Sequence, residues 1–102
     1  MNDSAPRIQQ GFYRGASVTD IQQDLQRQGL QPYVIKESPD SYLDEHQHAQ
    51  SHIIVVIDGT MRFTIDGNTY DMRSGDLVTV PPHTPHAAQF GTSGCTYIWV
   101  EY

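Results

Sequence analysis

DSYLDEHQHAQSHIIVVIDG, residues 40–59, holds three of the chain's five histidines, His46, His48 and His52, directly before five β-branched residues in a row. In an extended chain alternate side chains leave the same face, and residues two apart are separated by roughly 6.6 Å along the axis. His46 and His48 are two apart, so an extended backbone sends both imidazoles one way. His52 is four further on and keeps that parity, and a turn between them returns it over the same point. Neutral imidazole is a common ligand for zinc, copper, iron and nickel. By itself His-x-His is a weak sign, because a polar strand edge also carries histidines by chance. Ile53–Ile57 does not alternate, so both of its faces are expected to be buried. The inward face belongs to a core. The outward face needs either the N-terminal segment or a second subunit, and a homodimer is expected on that ground.

Working outward, the second informative stretch is GDLVTVPPHTPHAAQF, residues 75–90. Leu77 to Val80 reads as a strand. Pro81 and Pro82 cannot donate to a ladder, so they mark the rim of a sheet. His86 then enters the next strand, with Ala88 and Phe90 on its face. Together the two stretches resemble the paired motifs of the cupin superfamily, over about residues 32–102. The first motif reads Gly, five residues, His-x-His, three or four residues, Glu, six residues, Gly. This chain has Asp40, His46-Gln47-His48, His52 and Gly59 at that spacing. The second reads Gly, five residues, Pro-x-Gly, two residues, His, three residues, Asn. Here it is Gly75, Pro81-Pro82-His83, His86 and Phe90. Asp40 and His83 replace glycines, Phe90 replaces Asn, and His52 replaces the glutamate ligand.

The resemblance implies an all-β cupin fold, a double-stranded β-helix or jelly-roll barrel, with a divalent metal inside. The metal ligands are expected to be His46, His48, His52 and His86. The change at His52 either makes a four-histidine site or leaves three ligands with His52 beside them. Fe, Mn, Ni, Zn and Cu all suit imidazole donors. Four neutral ligands leave the ion about its full two positive charges, favouring an anionic partner. Face parity puts Ile54, Val56, Met61, Phe63, Ala88 and Phe90 around the ion. Trp99 joins them, with Tyr33, Tyr42 and Tyr97 as further polar-tipped neighbours. His83 reads as an exposed rim histidine.

The remaining sequence fits one small domain of 102 residues, 37% hydrophobic. A net charge of −6, from 12 acidic and 6 basic residues, argues against a nucleic-acid partner, which needs a basic face. The one cysteine, Cys95, allows no internal disulfide, which fits a reducing cytoplasm. No apolar run reaches the ~18 residues of a membrane span, and Met1–Arg7 lacks a signal-peptide core. A polar segment, residues 1–17, is expected to precede the cupin domain at 18–102, with little regular structure in its first few residues. A short helix follows, with Thr19 as its cap, Gln22 completing a capping box, and Gly29 as its stop. Val18, Ile21 and Leu25 form its apolar stripe. Asp58-Gly59 reads as a hairpin turn, as do Asp66-Gly67-Asn68 and Gly91–Gly94.

There is no Gly-rich phosphate loop, no Ser/His/Asp arrangement, no paired Cys motif and no convincing carboxylate pair. The cupin resemblance implies two possible functions. One is a mononuclear metal cupin, in the manner of an oxygenase, acting on a small anionic or dicarbonyl substrate. The other is a non-catalytic cupin that binds or senses a small molecule.

Overall fold

Alternating and β-branched stretches dominate the chain, and among the described residues they form seven strands, with one helix packed outside them. The structure is a computed structural model that describes residues 7–102. In chain order the elements are β1 (Arg7–Gln9), α1 (Val18–Arg27), β2 (Tyr33–Glu37), β3 (Tyr42–His46), β4 (His52–Ile65), β5 (Asn68–Arg73), β6 (Leu77–Val80) and β7 (His86–Glu101). All strand pairings are antiparallel. The architecture is an all-β jelly roll, as expected.

Its spine is the pair of long strands β4 and β7, matched from His52 opposite Glu101 to Ile65 opposite His86. On its other edge β4 takes β6 along its first half and β5 along its second. β7 likewise takes β2 at one end and β3 at the other. Each long strand thus serves two flanking layers.

The expected hairpin at Asp58-Gly59 is absent, and β4 runs straight through it. The register with β7 shifts instead between Val56 and Asp58 and between Gly59 and Met61. Gly59 has φ 78°, and a Cβ there would stand 2.1 Å from the Gly94 carbonyl oxygen. This is a bulge at a close backbone crossing, a second use of the same Asp-Gly signal. Gly91–Gly94 likewise lies within β7 rather than between strands. Asp66-Gly67 does turn the chain, from β4 into β5.

The two faces of Ile53–Ile57 are both covered. Ile54 and Val56 point into the barrel core with Met61, Phe63, Met72 and Val78. Val55 points outward into a second cluster with Ile21 and Leu25 of α1, Leu77, Ile98 and Val100. Tyr13, Val18, Leu30, Ile53 and Ile57 close its edges. The helix therefore covers the middle of the outward face at Val55, while Ile53 and Ile57 at its edges stay half-buried. Burying Ile21 and Leu25 contributes about 1.5–3 kcal/mol each.

The helix begins two residues earlier than expected. Its cap is Ser17, whose hydroxyl accepts from the Asp20 amide at 3.1 Å, so Thr19 lies inside the first turn. At the other end Gly29 has φ 82°, and the Leu30 amide bonds the Leu25 carbonyl. That is the glycine stop the sequence indicated.

The segment before the helix is more ordered than a tail. β1 pairs with β6, and the Gly11 amide donates to the buried Asp76 carboxylate at 2.7 Å. The expectation of little order at the very start falls on residues 1–6, outside the described residues.

Candidate metal centre

His46 ends β3 and stands directly opposite His86, the first residue of β7. This cross-strand pairing, not sequence proximity, brings the two rings to 4.3 Å between centroids. His48 follows two residues after β3, with its ring 4.8 Å from His46 and 5.3 Å from His86. One nitrogen from each of His46, His48 and His86 lies within 4.8 Å of the others. Such convergence has no packing rationale, because three imidazoles facing one another gain little by mutual contact. It is what a shared ion requires.

Two of the three rings are oriented by the backbone. Nδ1 of His46 lies 2.6 Å from the Asp44 carbonyl oxygen, and Nδ1 of His86 lies 2.8 Å from that of Thr84. A carbonyl accepts only, so in each ring Nδ1 carries the proton and Nε2 keeps its lone pair. Burial is the main cause that holds the His86 imidazole below the ordinary histidine pKa. Burial also lowers His48, helped by the neighbouring His52 and His46 and opposed by Glu101. Both effects favour the neutral form, the one that ligates.

His52 is not in the three-residue set. It begins β4, fully buried, with its ring 4.3 Å from that of His48 and 5.0 Å from Trp99. Its Nε2 lies 3.1 Å from Oε2 of Glu101. Its Nδ1 is the one buried side-chain nitrogen or oxygen without a hydrogen-bond partner among the described residues. An orphaned buried nitrogen beside three converging imidazoles fits a polar or metallic guest in the space between them. The residues present therefore suit a divalent ion.

The cavity at this site measures about 50 Å³. Ile54, Met61, Phe63, Ala88, Phe90 and Trp99 line it, while Val56 is buried in the same core without reaching the cavity. Leu43 and Tyr97 also line it. Tyr97 turns its hydroxyl away to donate to Glu37 at 2.7 Å. Tyr33 and Tyr42 are exposed outside the cavity. Glu101 went unremarked in the sequence; its signal was the β4–β7 register, which needs the fold. Cys95 is buried, and burial, with Glu37 and Asp58, pushes its thiol up to about 11, so it is inert.

Two of the four motif departures have a backbone reading. Asp40 and His83 stand where the motif has glycine, and both adopt left-handed φ, 58° and 59°. The turns keep their shape because Asp and His tolerate that region better than most residues. His83 is exposed, and its amide donates to the His48 carbonyl at 2.7 Å, tying the two motifs together.

A larger cavity, about 620 Å³, shares Met61 and Phe90 with the histidine site. Part of its charge is already paired. Arg62 pairs with Asp71, and Asp76 accepts from the Gly11 and Arg73 amides. It offers no converging donor set, so the smaller cavity is the better candidate.

Comparison with known proteins agrees with this geometry. The chain is 36% identical over 58 residues to acireductone dioxygenase of Gluconacetobacter diazotrophicus, covering 53% of this chain and 32% of that one. It is 42% identical over 43 residues to quercetin 2,3-dioxygenase of Bacillus subtilis, covering 41% of this chain and 13% of that one. The matches thus span a third or less of those relatives. Among solved structures, an RmlC-like cupin from Shewanella frigidimarina superimposes with TM-score 0.64 at 26% identity, over 71% of this chain and 65% of that one. The DMSP lyase DddQ of Ruegeria pomeroyi gives 0.65 at 25%, over 71% and 37%. The model of the AraC-like ligand binding domain matches residues 31–102. With the fold, the histidine cluster and this match in agreement, the chain belongs to the AraC-like ligand-binding domain family and has the cupin fold.

Proposed function

We propose that the chain is a mononuclear metal-binding cupin that takes a small anionic or dicarbonyl ligand at the ion, in the manner of an oxygenase. The observation that carries this reading is the convergence of His46, His48 and His86 on one point. His52 would be the fourth ligand. Three or four neutral donors leave at least two positions open on an octahedral ion, and open positions separate catalytic from structural sites. A bound divalent ion supplies Lewis acidity toward a ligand oxygen. The chain's own residues supply the rest. The cavity walls contribute no cation, so an anionic ligand finds its only positive charge at the ion. At about 50 Å³ the cavity takes only the reacting end of a ligand. Apolar Phe63, Met61 and Phe90 keep water from that end. Iron or manganese suits oxygen chemistry, and nickel, copper or zinc also suits these donors.

Two of the matched relatives are dioxygenases by name, which supports the oxygenase class. The match to a ligand-binding domain supports a second reading, a non-catalytic module that binds or senses a small molecule. Oxygen uptake by the iron(II)-loaded protein with β-dicarbonyls, thiols and catechols separates the two. Uptake with one class and not the others is expected. No turnover with any loaded metal, alongside ligand-dependent thermal stabilisation, assigns the chain to binding. A homodimer in reducing cytoplasm is compatible with either; sedimentation at micromolar concentration giving the mass of one chain removes the dimer.

A further inference from the structure

We propose that Glu101 is a positioning residue for the metal centre, fixing the tautomer of His52 so that Nδ1 is the nitrogen offered to the ion. The inference rests on the metal reading above. His52 and Glu101 are direct register partners across β4 and β7. Their side chains meet at 3.1 Å through His52 Nε2 and Glu101 Oε2. A carboxylate accepts and does not donate, so Nε2 must carry the proton and Nδ1 must carry the lone pair. That lone pair is the buried, unpartnered one.

The pattern matches the other rings with the two nitrogens exchanged. His46 and His86 each give Nδ1–H to a backbone carbonyl and keep Nε2 free. His52 gives Nε2–H to a side-chain carboxylate and keeps Nδ1 free. In all three, one ring nitrogen is spent on a protein oxygen and the other faces no protein partner. This is the arrangement by which an outer oxygen orients a ligating imidazole and raises its basicity. His52 occupies the motif's glutamate position here, and the carboxylate that contacts it comes from β7. Glu101 is 42% exposed while His52 is 1% exposed, so the negative charge stays hydrated and only the imidazole is buried.

Long-range ¹H–¹⁵N spectra of the histidine side chains, recorded without metal and with zinc alone, test this directly. Without metal, His52 is expected as the Nε2–H tautomer and His46 and His86 as Nδ1–H. On adding zinc, the His52 Nδ1 resonance should shift while Nε2 stays protonated. Glu101→Ala should scramble the His52 tautomer and weaken zinc binding by about 10–100-fold. Glu101→Gln should restore both, since its amide oxygen still accepts from Nε2–H. A zinc-induced shift at His46, His48 and His86 with none at His52 Nδ1, or with coordination through Nε2, overturns this proposal and leaves the metal reading intact. Glu101→Ala with wild-type tautomer and affinity overturns it too. No zinc shift at any histidine overturns the metal reading itself.

Discussion

The two faces of Ile53–Ile57 follow opposite rules. Outward, Val55 meets Ile21, Leu25, Ile98 and Val100 in an apolar cluster closed by the helix. Inward, the same strand leads to a cavity where imidazoles face one another and one buried nitrogen has no partner. The first face is filled for stability. The second is left incomplete, which lowers stability and makes room for a guest. Residues adjacent in the chain thus belong to separate problems, and substitutions on the two faces should have separable effects.

The largest expected effect is on the outward face. Leu25→Ala should destabilise by about 2–5 kcal/mol, because it opens a cavity under the helix. Zinc affinity of the folded fraction should not change. Urea unfolding and calorimetric titration check the two halves, and a matching loss of affinity would mean the faces are coupled.

Next in size is the mirror experiment. Metal at 100 times its Kd should stabilise the wild type by about 2.7 kcal/mol. His86→Ala should abolish that gain, while metal-free stability changes far less than in Leu25→Ala. Thermal melts with and without zinc decide it. A metal-free loss as large as that of Leu25→Ala would make His86 a packing residue.

The third expectation concerns pH. His48 and His86 are held below the ordinary histidine value chiefly by burial. As pH falls below about 6.5 the unfolded chain takes up protons that the folded chain refuses. Stability from these two groups is therefore full above that pH and declines below it, until the folded-state values are passed. Metal should leave over the same acid range. In His86→Ala the pH slope of metal-free stability should shrink; an unchanged slope would place its origin elsewhere.

The smallest effect is at the turns. Asp40→Gly and His83→Gly relieve a left-handed backbone at non-glycine residues and should change stability by at most about 1 kcal/mol each, upward. Both keep their backbone hydrogen bonds, from the Asp40 amide to the Gly91 carbonyl and from the His83 amide to the His48 carbonyl. Denaturant midpoints measure it, and a clear loss would show that a side chain carries the turn.

Much of this was written in the chain. The unbroken β-branched run announced two buried faces; Ile54, Val55 and Val56 are buried, and Ile53 and Ile57 are half-buried. The prolines at 81 and 82 marked a rim, and β6 ends before them. The cupin-like spacing of His46, His48 and His86 pointed to one shared site, but the register of β3 against β7 is what joins His86 to His46. Short-range stereochemistry sufficed for the run and the prolines, because strand alternation and proline's missing donor act locally. Other features were not legible. The Asp58-Gly59 pair reads equally as a turn or a bulge, since both need a positive φ; only pairing with β7 across Gly94 decides. The helix cap at Ser17 and the cover over Val55 depend on where α1 docks. The partner of His52 could not be read at all, because Glu101 lies 49 positions away.

By itself, then, the sequence determined the strand content and the all-β class, since both follow from torsions and spacing over a few residues. Only tertiary structure decided which imidazole nitrogens are free, what covers the outward face and which carboxylate stands behind His52. Those depend on the register of β4 against β7, a long-range alignment fixed by packing the whole barrel at once.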